Sequence, residues 1–376
     1  MTNKHAIEIV AYTDPYCTWC WGSEPVLRHL QETYGEQLII RSVMGGLVED
    51  SNNFHDPMNG IGGGNNSIQP VADHWVEASS RHRMPVNTVE FLKAPLQSTW
   101  PANNAYEAAK LQDETLATRY LRRLRESAAT ESNNLGDPEV LANLAQGVGL
   151  DRERFLVDFK GQAQDEFARD RWECSQRDVR GFPTFMVVVD GKERLARSYR
   201  TYGQMVGLID LLAGEPVERR TTDFNDLGVL DFVEKYGSAA VREVSEVFEV
   251  SPALAKASLD RLAAAGSLVL PEPGLLYRIP ASVACDTATG LCNWEQAPVD
   301  VAAHQLSATE MDIRQEPQPT RLGVPRASTT SVATGTRPDS TSTTSRTPRR
   351  RRRRSFRDTD SSATSGRLLL EGLTNS

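Results

Sequence analysis

The chain has 376 residues, 39% of them hydrophobic, with 42 Lys+Arg against 50 Asp+Glu, which is long enough for more than one average domain and a sizeable core. No stretch approaches the roughly 20 apolar residues of a membrane span, no secretory leader pattern stands at the start, and five cysteines are too few for a disulfide scaffold. A cytoplasmic protein whose cysteines do chemistry is the expectation, because the cytosol keeps thiols reduced. Charge is unevenly placed: residues 311–376 hold 13 Arg, no Lys and 6 Asp+Glu, net +7, which leaves net −15 for residues 1–310. An acidic body disfavours nonspecific nucleic-acid binding.

Residues 6–12 form a short, apolar, β-prone run that reads as a buried strand. A turn at residues 13–16 follows, and Pro25, Val26, Leu27, Leu30 and Tyr34 then predict a helix ended by Gly35. Cys17-Thr18-Trp19-Cys20, a C-x-x-C motif, therefore falls at a helix N-terminus. Unpaired N–H groups and the positive end of the dipole favour a thiolate there, and a thiolate is what attacks disulfides. Cys17 is expected at the exposed end, with Cys20 turned inward. Trp19, Trp21, Tyr12 and Tyr16 surround the motif, part as core and part as an apolar rim for a peptide. Asp14 reads as a cap of the helix, with proton transfer from Cys20 as the sharper alternative.

Residues 39–43 predict a second strand, and 45–67, rich in Gly and Asn, a loop near the site. Residues 68–178 read as largely helical. One helix is expected over 104–125, and others start at Asp137-Pro138 and Asp151. Arg180-Gly181-Phe182-Pro183-Thr184 leads into a β-prone run at 185–189. Asp190-Gly191 turns it back into a partner strand over 192–199, and a last helix over 205–212 precedes a linker at Gly214-Glu215-Pro216.

The stretch from Asp14 to Gly22, Glu24-Pro25, Gly45-Gly46-Leu47 and Gly181-Phe182-Pro183-Thr184 together resemble the DsbA-like branch of the thioredoxin superfamily, and most closely its FrnE-type, protein-disulfide isomerase members. The resemblance covers residues 5–215. It implies an α/β thioredoxin-like fold, a βαβ and a ββα unit with a helical domain inserted at about 68–178. It also implies Cys17 as nucleophile, Cys20 as resolving cysteine, Pro183 as a cis-proline, and backbone groups around Phe182–Pro183 that align a substrate strand; Trp19, Trp21, Phe182 and Thr184 are the candidate substrate-binding residues. Strongly oxidising relatives carry a histidine between the cysteines, where this chain has Thr18-Trp19. Kappa-type transferases carry serine at the nucleophile position, where this chain has Cys17.

Residues 222–283 read as a small α+β module resembling a winged helix. Three helices precede a hairpin at 269–270 and 275–279, and residues 252–265 stand in the recognition position. Nucleic-acid binding does not follow from such a fold. Residues 223–280 hold five basic residues against nine acidic ones, and phosphate neutralisation supplies most nonspecific affinity. Residues 284–305 form an extension holding Cys285 and Cys292, a candidate second redox pair or two unrelated thiols. Residues 306–376 are Ser/Thr/Arg-rich without apolar periodicity, and disorder is the expectation. Their six-arginine run, from Arg349 to Arg354, is expected as a solvated charge block, or as an electrostatic contact with nucleic acid, weak at most, with an anionic surface or with the acidic body itself.

A zinc site would need four ligands, and neither Cys174 nor the six histidines fall into a second C-x-x-C. Neither a metal nor an organic cofactor is expected. The function expected is protein thiol–disulfide exchange through Cys17 and Cys20, with protein thiols and disulfides and a reductase or oxidant as partners. The alternative is a redox-sensing adaptor or transcriptional regulator whose module contacts a protein or DNA.

Overall fold

A computed structural model describes residues 5–280 except 63–67, 90–91, 93–96 and 132. Cys285, Cys292 and the run from Arg349 to Arg354 lie outside the described residues. The central sheet has the order β2-β1-β3-β4, built from β1 (Ile7–Thr13), β2 (Leu38–Met44), β3 (Thr184–Val189) and β4 (Lys192–Arg197). β1 runs parallel to β2, with Thr13 opposite Met44, and antiparallel to β3, with Tyr12 opposite Thr184. Asp190 and Gly191, both at positive φ, make the tight hairpin from β3 to β4. Two residues in that conformation match the twist of the flanking strands.

β1 alternates its side chains between two cores. On one face Ile7, Ile9 and Ala11 pack with Val26, Leu30 and Tyr34 of α1 (Thr18–Tyr34) and with Met205 and Ile209 of α8 (Tyr202–Ala213). On the other face Val10 and Tyr12 pack with Val43, Met186 and Cys174. The connection from β1 through α1 to β2, and from β3 through β4 to α8, is the thioredoxin-like arrangement. Between β2 and β3 the chain builds α2 (Ile68–His82), α3 (Trp100–Lys110), α4 (Glu114–Glu126, continued by a π-turn over Ser127–Glu131), α5 (Pro138–Gly147), α6 (Arg152–Lys160) and α7 (Gln162–Gln176). These share a core that includes Ala105, Ala109, Tyr120, Leu124, Leu141 and Phe155.

The single helix expected over 104–125 is two helices. Asp113 breaks it: its carboxylate accepts the Leu116 N–H at 2.8 Å and caps α4, a local bond that competes with helix continuation.

After α8, capped by left-handed Gly214, come α9 (Asp226–Tyr236), β5 (Ser238–Ala239), α10 (Val241–Val247), α11 (Pro252–Ala264) and β6 (Tyr277–Arg278). β6 pairs mainly with β5, whereas the sequence suggested a hairpin with 269–270; only Val269 reaches it, by a single bridge to Arg278. Val229, Phe232, Val244, Leu259 and Leu262 form the core of these elements.

The described residues fall within one compact unit, and a buried ion cluster joins the C-terminal elements to the thioredoxin-like part. Arg122 of α4 bonds both oxygens of Glu243 at 3.0 Å, and Arg28 of α1 bonds Glu243 and the Ser238 carbonyl, each at 2.9 Å. Glu24 takes Arg125, Arg122 and Arg28. Glu126 takes Arg122 and Arg123, and Arg278 bridges Glu126 and Glu131. Tyr236 and Lys235 both reach Glu32 of α1 at 2.7 Å.

Candidate functional site

Three segments meet at one end of the sheet. β1 runs out at Thr13 into the C-x-x-C turn. β2 runs out at Met44 into Gly45-Gly46-Leu47. Pro183, one residue before β3, stands level with Thr13 because Thr184 pairs with Tyr12. The Gly45 N–H donates to the Thr13 carbonyl at 2.8 Å, closing the first two segments together.

Cys17 is the N-cap of α1, with extended backbone, and its sulfur accepts the Cys20 N–H at 3.1 Å. That bond takes one of the donors a helix start leaves unpaired. Asp14 is therefore not the cap. It is fully buried, and its carboxylate accepts from the Tyr16 and Leu47 N–H groups, the Thr99 hydroxyl and the Asn103 amide at 2.7–2.8 Å. Burial raises its pKa above the usual carboxylate value, while those bonds oppose the rise. Its observed role is to tie the motif turn to the loop after β2 and to α3.

The two cysteines are free thiols, and both are buried: Cys17 is 5% exposed and Cys20 2%. The exposed position expected for Cys17 is not found, because the turn from Asp14 packs it inward. The electrostatics also differ from the expectation. Burial, then the bond and charge of Cys20, push the Cys17 thiol well up. Burial also raises Cys20, but the Cys17 side chain, the Arg125 charge and Thr13 together bring it below the ordinary thiol value. Cys174, on α7, is a buried thiol pushed up to about 12 by desolvation.

The aromatic neighbours divide. Trp19 is half-buried, its ring 5.6 Å from His82 and 5.9 Å from Tyr199. Trp21 is 1% exposed, donates to the Pro85 carbonyl at 2.9 Å and lies under the Arg122 guanidinium at 4.3 Å. It is core and has no surface to offer a substrate. Thr184 is 2% exposed and donates to the Gly181 carbonyl at 2.8 Å, so it too is internal. Phe182 is half-buried, and the Phe182–Pro183 peptide is cis. Phe182 borders a cleft of about 380 Å³ shared with Gly45, Gly46, Arg171, Cys174 and Arg180.

His82 escapes a sequence reading. It ends α2, sixty residues past the motif, yet its Nε2 lies 3.4 Å from the Thr18 hydroxyl. Its ring so nearly touches α1 that a β-carbon on Gly22 would stand 2.4 Å from it. Nδ1 accepts the Met84 N–H at 3.1 Å, which leaves the proton on Nε2, facing Thr18. Desolvation, aided by Arg242 and His74, lowers its pKa to about 4, so at neutral pH a neutral imidazole leans on the residue between the cysteines.

Among the described residues, no group of three or more His, Cys, Asp or Glu could hold a metal ion, and no helix is long and apolar enough to cross a membrane.

A C-x-x-C pair at the first helix of a thioredoxin-like sheet, with a set of helices inserted between β2 and β3, is the arrangement of a DsbA-like protein of the thioredoxin superfamily. A family model described as thioredoxin matches residues 10–201, and the chain belongs to that family. Among curated proteins it is similar to the ClpXP adapter protein SpxH of Halalkalibacterium halodurans, 28% identical over 264 residues, which covers 69% of this chain and 84% of that one. It is also similar to SpxH of Bacillus subtilis, 26% identical, covering 72% and 87%. Among solved structures it is similar to a putative protein disulfide isomerase from Nitrosomonas europaea, 19% identical with a TM-score of 0.47, covering 55% of this chain and 98% of that one. It is likewise similar to the cytosolic disulfide reductase DsbM from Pseudomonas aeruginosa, 23% identical with a TM-score of 0.42, covering 55% and 95%.

Proposed function

We propose that the protein exchanges thiols and disulfides with cysteines of other proteins. Cys17 attacks a substrate disulfide, forming a mixed disulfide and releasing one substrate sulfur. Cys20 then attacks the Cys17 sulfur, forming the Cys17–Cys20 disulfide and releasing the other. Two electrons pass from the dithiol to the substrate, and the reverse sequence oxidises a substrate dithiol. The observation that carries this reading is the pair of free thiols in the first turn of α1, with the Cys17 sulfur at the N-cap. Trp19, Phe182 and the backbone at Pro183 are the substrate-facing groups in this reading. Residues 1–215 act as the exchange domain, residues 222–283 as a winged-helix-like module, and the setting is the cytoplasm.

Insulin reduction by the purified chain tests the activity. Turnover with dithiothreitol above the dithiothreitol control, abolished in Cys17→Ser, is the expected result. Cys20→Ser should accumulate mixed disulfides with substrate proteins. Absence of both turnover and trapped adducts overturns the reading.

A second reading has its own support. The relatives named ClpXP adapter proteins align over 264 residues, more than the thioredoxin match at 10–201 can hold, so the likeness includes the C-terminal elements. In this reading the chain presents another protein to a protease, and the dithiol reports redox state. On α11, Lys256 is held by Asp260 at 2.6 Å and Arg261 by both oxygens of Asp226, which favours a protein contact over DNA. Partner capture that survives replacement of both Cys17 and Cys20 by serine would select this reading.

A further inference from the structure

The motif turns little but one indole toward solvent. From Ala11 to Val26 every residue is buried except Trp19, and Cys17 is itself only 5% exposed. A disulfide that reaches Cys17 from solvent therefore meets Trp19. Two rings from remote segments hold that indole. His82, at the end of α2, meets it at 80° with 5.6 Å between ring centroids, and Tyr199, between β4 and α8, meets it at 52° with 5.9 Å. The His82 side is a fixed wall. Its Nδ1 takes the Met84 N–H, its Nε2 faces Thr18, its ring fills the space beside Gly22, and its carbonyl accepts Arg242 Nε at 3.3 Å. Tyr199 is half-buried, packs against the core beneath α1 and α8, and makes no hydrogen bond through its hydroxyl among the described residues. Its contribution is the ring. Neither wall lies parallel to the indole, so among the described residues no ring stacks flat on it, and offset stacking is one of the two arrangements that aromatic pairs prefer.

We propose that His82 and Tyr199 are positioning residues that fix Trp19 as the specificity-determining surface of the site, and that the disulfides it selects are those whose cysteine is flanked by an aromatic residue. The flanking ring lies against the indole and extends the cluster of His82, Trp19 and Tyr199 while the neighbouring sulfur reaches Cys17. A carboxylate flank gains no such contact and loses hydration against the indole. In the exchange reading, on which this rests, the chemistry is unchanged: Cys17 and Cys20 give two electrons to the substrate disulfide, become a disulfide themselves and release two substrate thiols.

The test uses the full chain and disulfide-linked dimers of the peptide Gly-X-Cys-Gly, with X as Phe, Leu, Lys or Glu and dithiothreitol as the electron source. Above the dithiothreitol control, kcat/KM should be about tenfold higher for Phe than for Glu, the upper range of one aromatic pair. Trp19→Ala should erase the preference. Tyr199→Leu should cut it to about twofold through KM rather than kcat, with the equilibrium of the Cys17–Cys20 pair against dithiothreitol unmoved, and Tyr199→Phe should keep it. His82→Asn should act like Tyr199→Leu; if that variant does not fold, the Tyr199 pair decides. Equal kcat/KM for Phe and any other flank, a preference for Lys or Glu, or a preference that survives Trp19→Ala overturns the proposal. Binding is read separately by 19F NMR of the chain labelled with 5-fluorotryptophan. The Trp19 signal, assigned by Trp19→Phe, should move with the Phe peptide carrying serine for cysteine and stay with its Glu counterpart. A moved signal without turnover of any peptide sinks the exchange function and leaves the Trp19 surface standing; turnover with neither preference nor movement does the reverse.

Discussion

Gly45 and Phe182 are fitted so closely that a β-carbon at position 45 would lie 1.8 Å from the far end of the Phe182 ring. The loop after β2 thus has a glycine where the segment before β3 needs room. Gly45→Ala should push the ring outward and shift the Phe182–Pro183 segment, at an overpacking cost of about 1–3 kcal/mol. The expected outcome is a folded protein, lower in urea midpoint, with a larger loss in insulin turnover than in stability. Wild-type turnover in the variant would remove Phe182 from the substrate face.

Arg122 holds Glu243, Glu126 and Glu24 at once. Breaking a buried ion network by removing one partner costs about 3–5 kcal/mol. Arg122→Ala should therefore lower stability by roughly that amount, and limited proteolysis should cut first near residues 214–225. Uniform digestion with no early cut there would mean the cluster does not hold the C-terminal elements.

Glu107 and Asp170 form a buried carboxylate pair beside Lys110. Desolvation, then Asp170, raises Glu107 to about 8, and desolvation also raises Asp170, which accepts the Met44 N–H at 2.6 Å. A raised carboxyl binds its proton more tightly in the folded state, so its contribution is full below its ordinary value near 4.5 and is lost as pH climbs toward 8. Urea midpoints should fall between pH 5 and 8 in the unsubstituted chain, and fall less in Glu107→Gln. Parallel profiles would show that Glu107 ionises normally.

Lys256 and Arg261 are engaged by carboxylates of their own segment. Replacing both with alanine should leave any retention on DNA unchanged, measured by the salt at which the full chain elutes from immobilised duplex. Replacing the six arginines from Arg349 to Arg354 should lower that salt, because released counterions track phosphate contacts. A drop caused by the Lys256 and Arg261 pair would reverse the assignment.

The local elements were legible because their signals are local. The apolar run of β1, the Asp190-Gly191 turn, the Asp137 and Asp151 caps and the Ser251-Pro252 start each act within a few residues, and each stands where the pattern put it. What stayed hidden depends on distant partners. Nothing in their own helix marks Arg122 and Arg125 as buried ion-pair residues, because their partners Glu243 and Glu24 lie on α10 and α1, about 100 residues away on either side. Asp14 looked like a cap because short carboxylates before helices commonly are. Its bonds instead go to Leu47, Thr99 and Asn103, none of which the turn can announce. Trp21 follows the motif as closely as Trp19 precedes Cys20, and only packing separates the core ring from the half-buried one.

Helix α1 has almost no solvent face. Thirteen of its seventeen residues are buried, whereas a helix lying on a domain surface buries one stripe. Its first turn carries the thiols, its middle presents Glu24 and Arg28 to the ion cluster, and its end gives Glu32 to Lys235 and Tyr236. Every position thus answers to the sheet, the inserted helices or the C-terminal elements, and several answer to two. In a library of single substitutions across the whole chain, α1 should be the segment where the fewest replacements survive. Drift in any of the three regions it touches must be matched by the other two through that one helix.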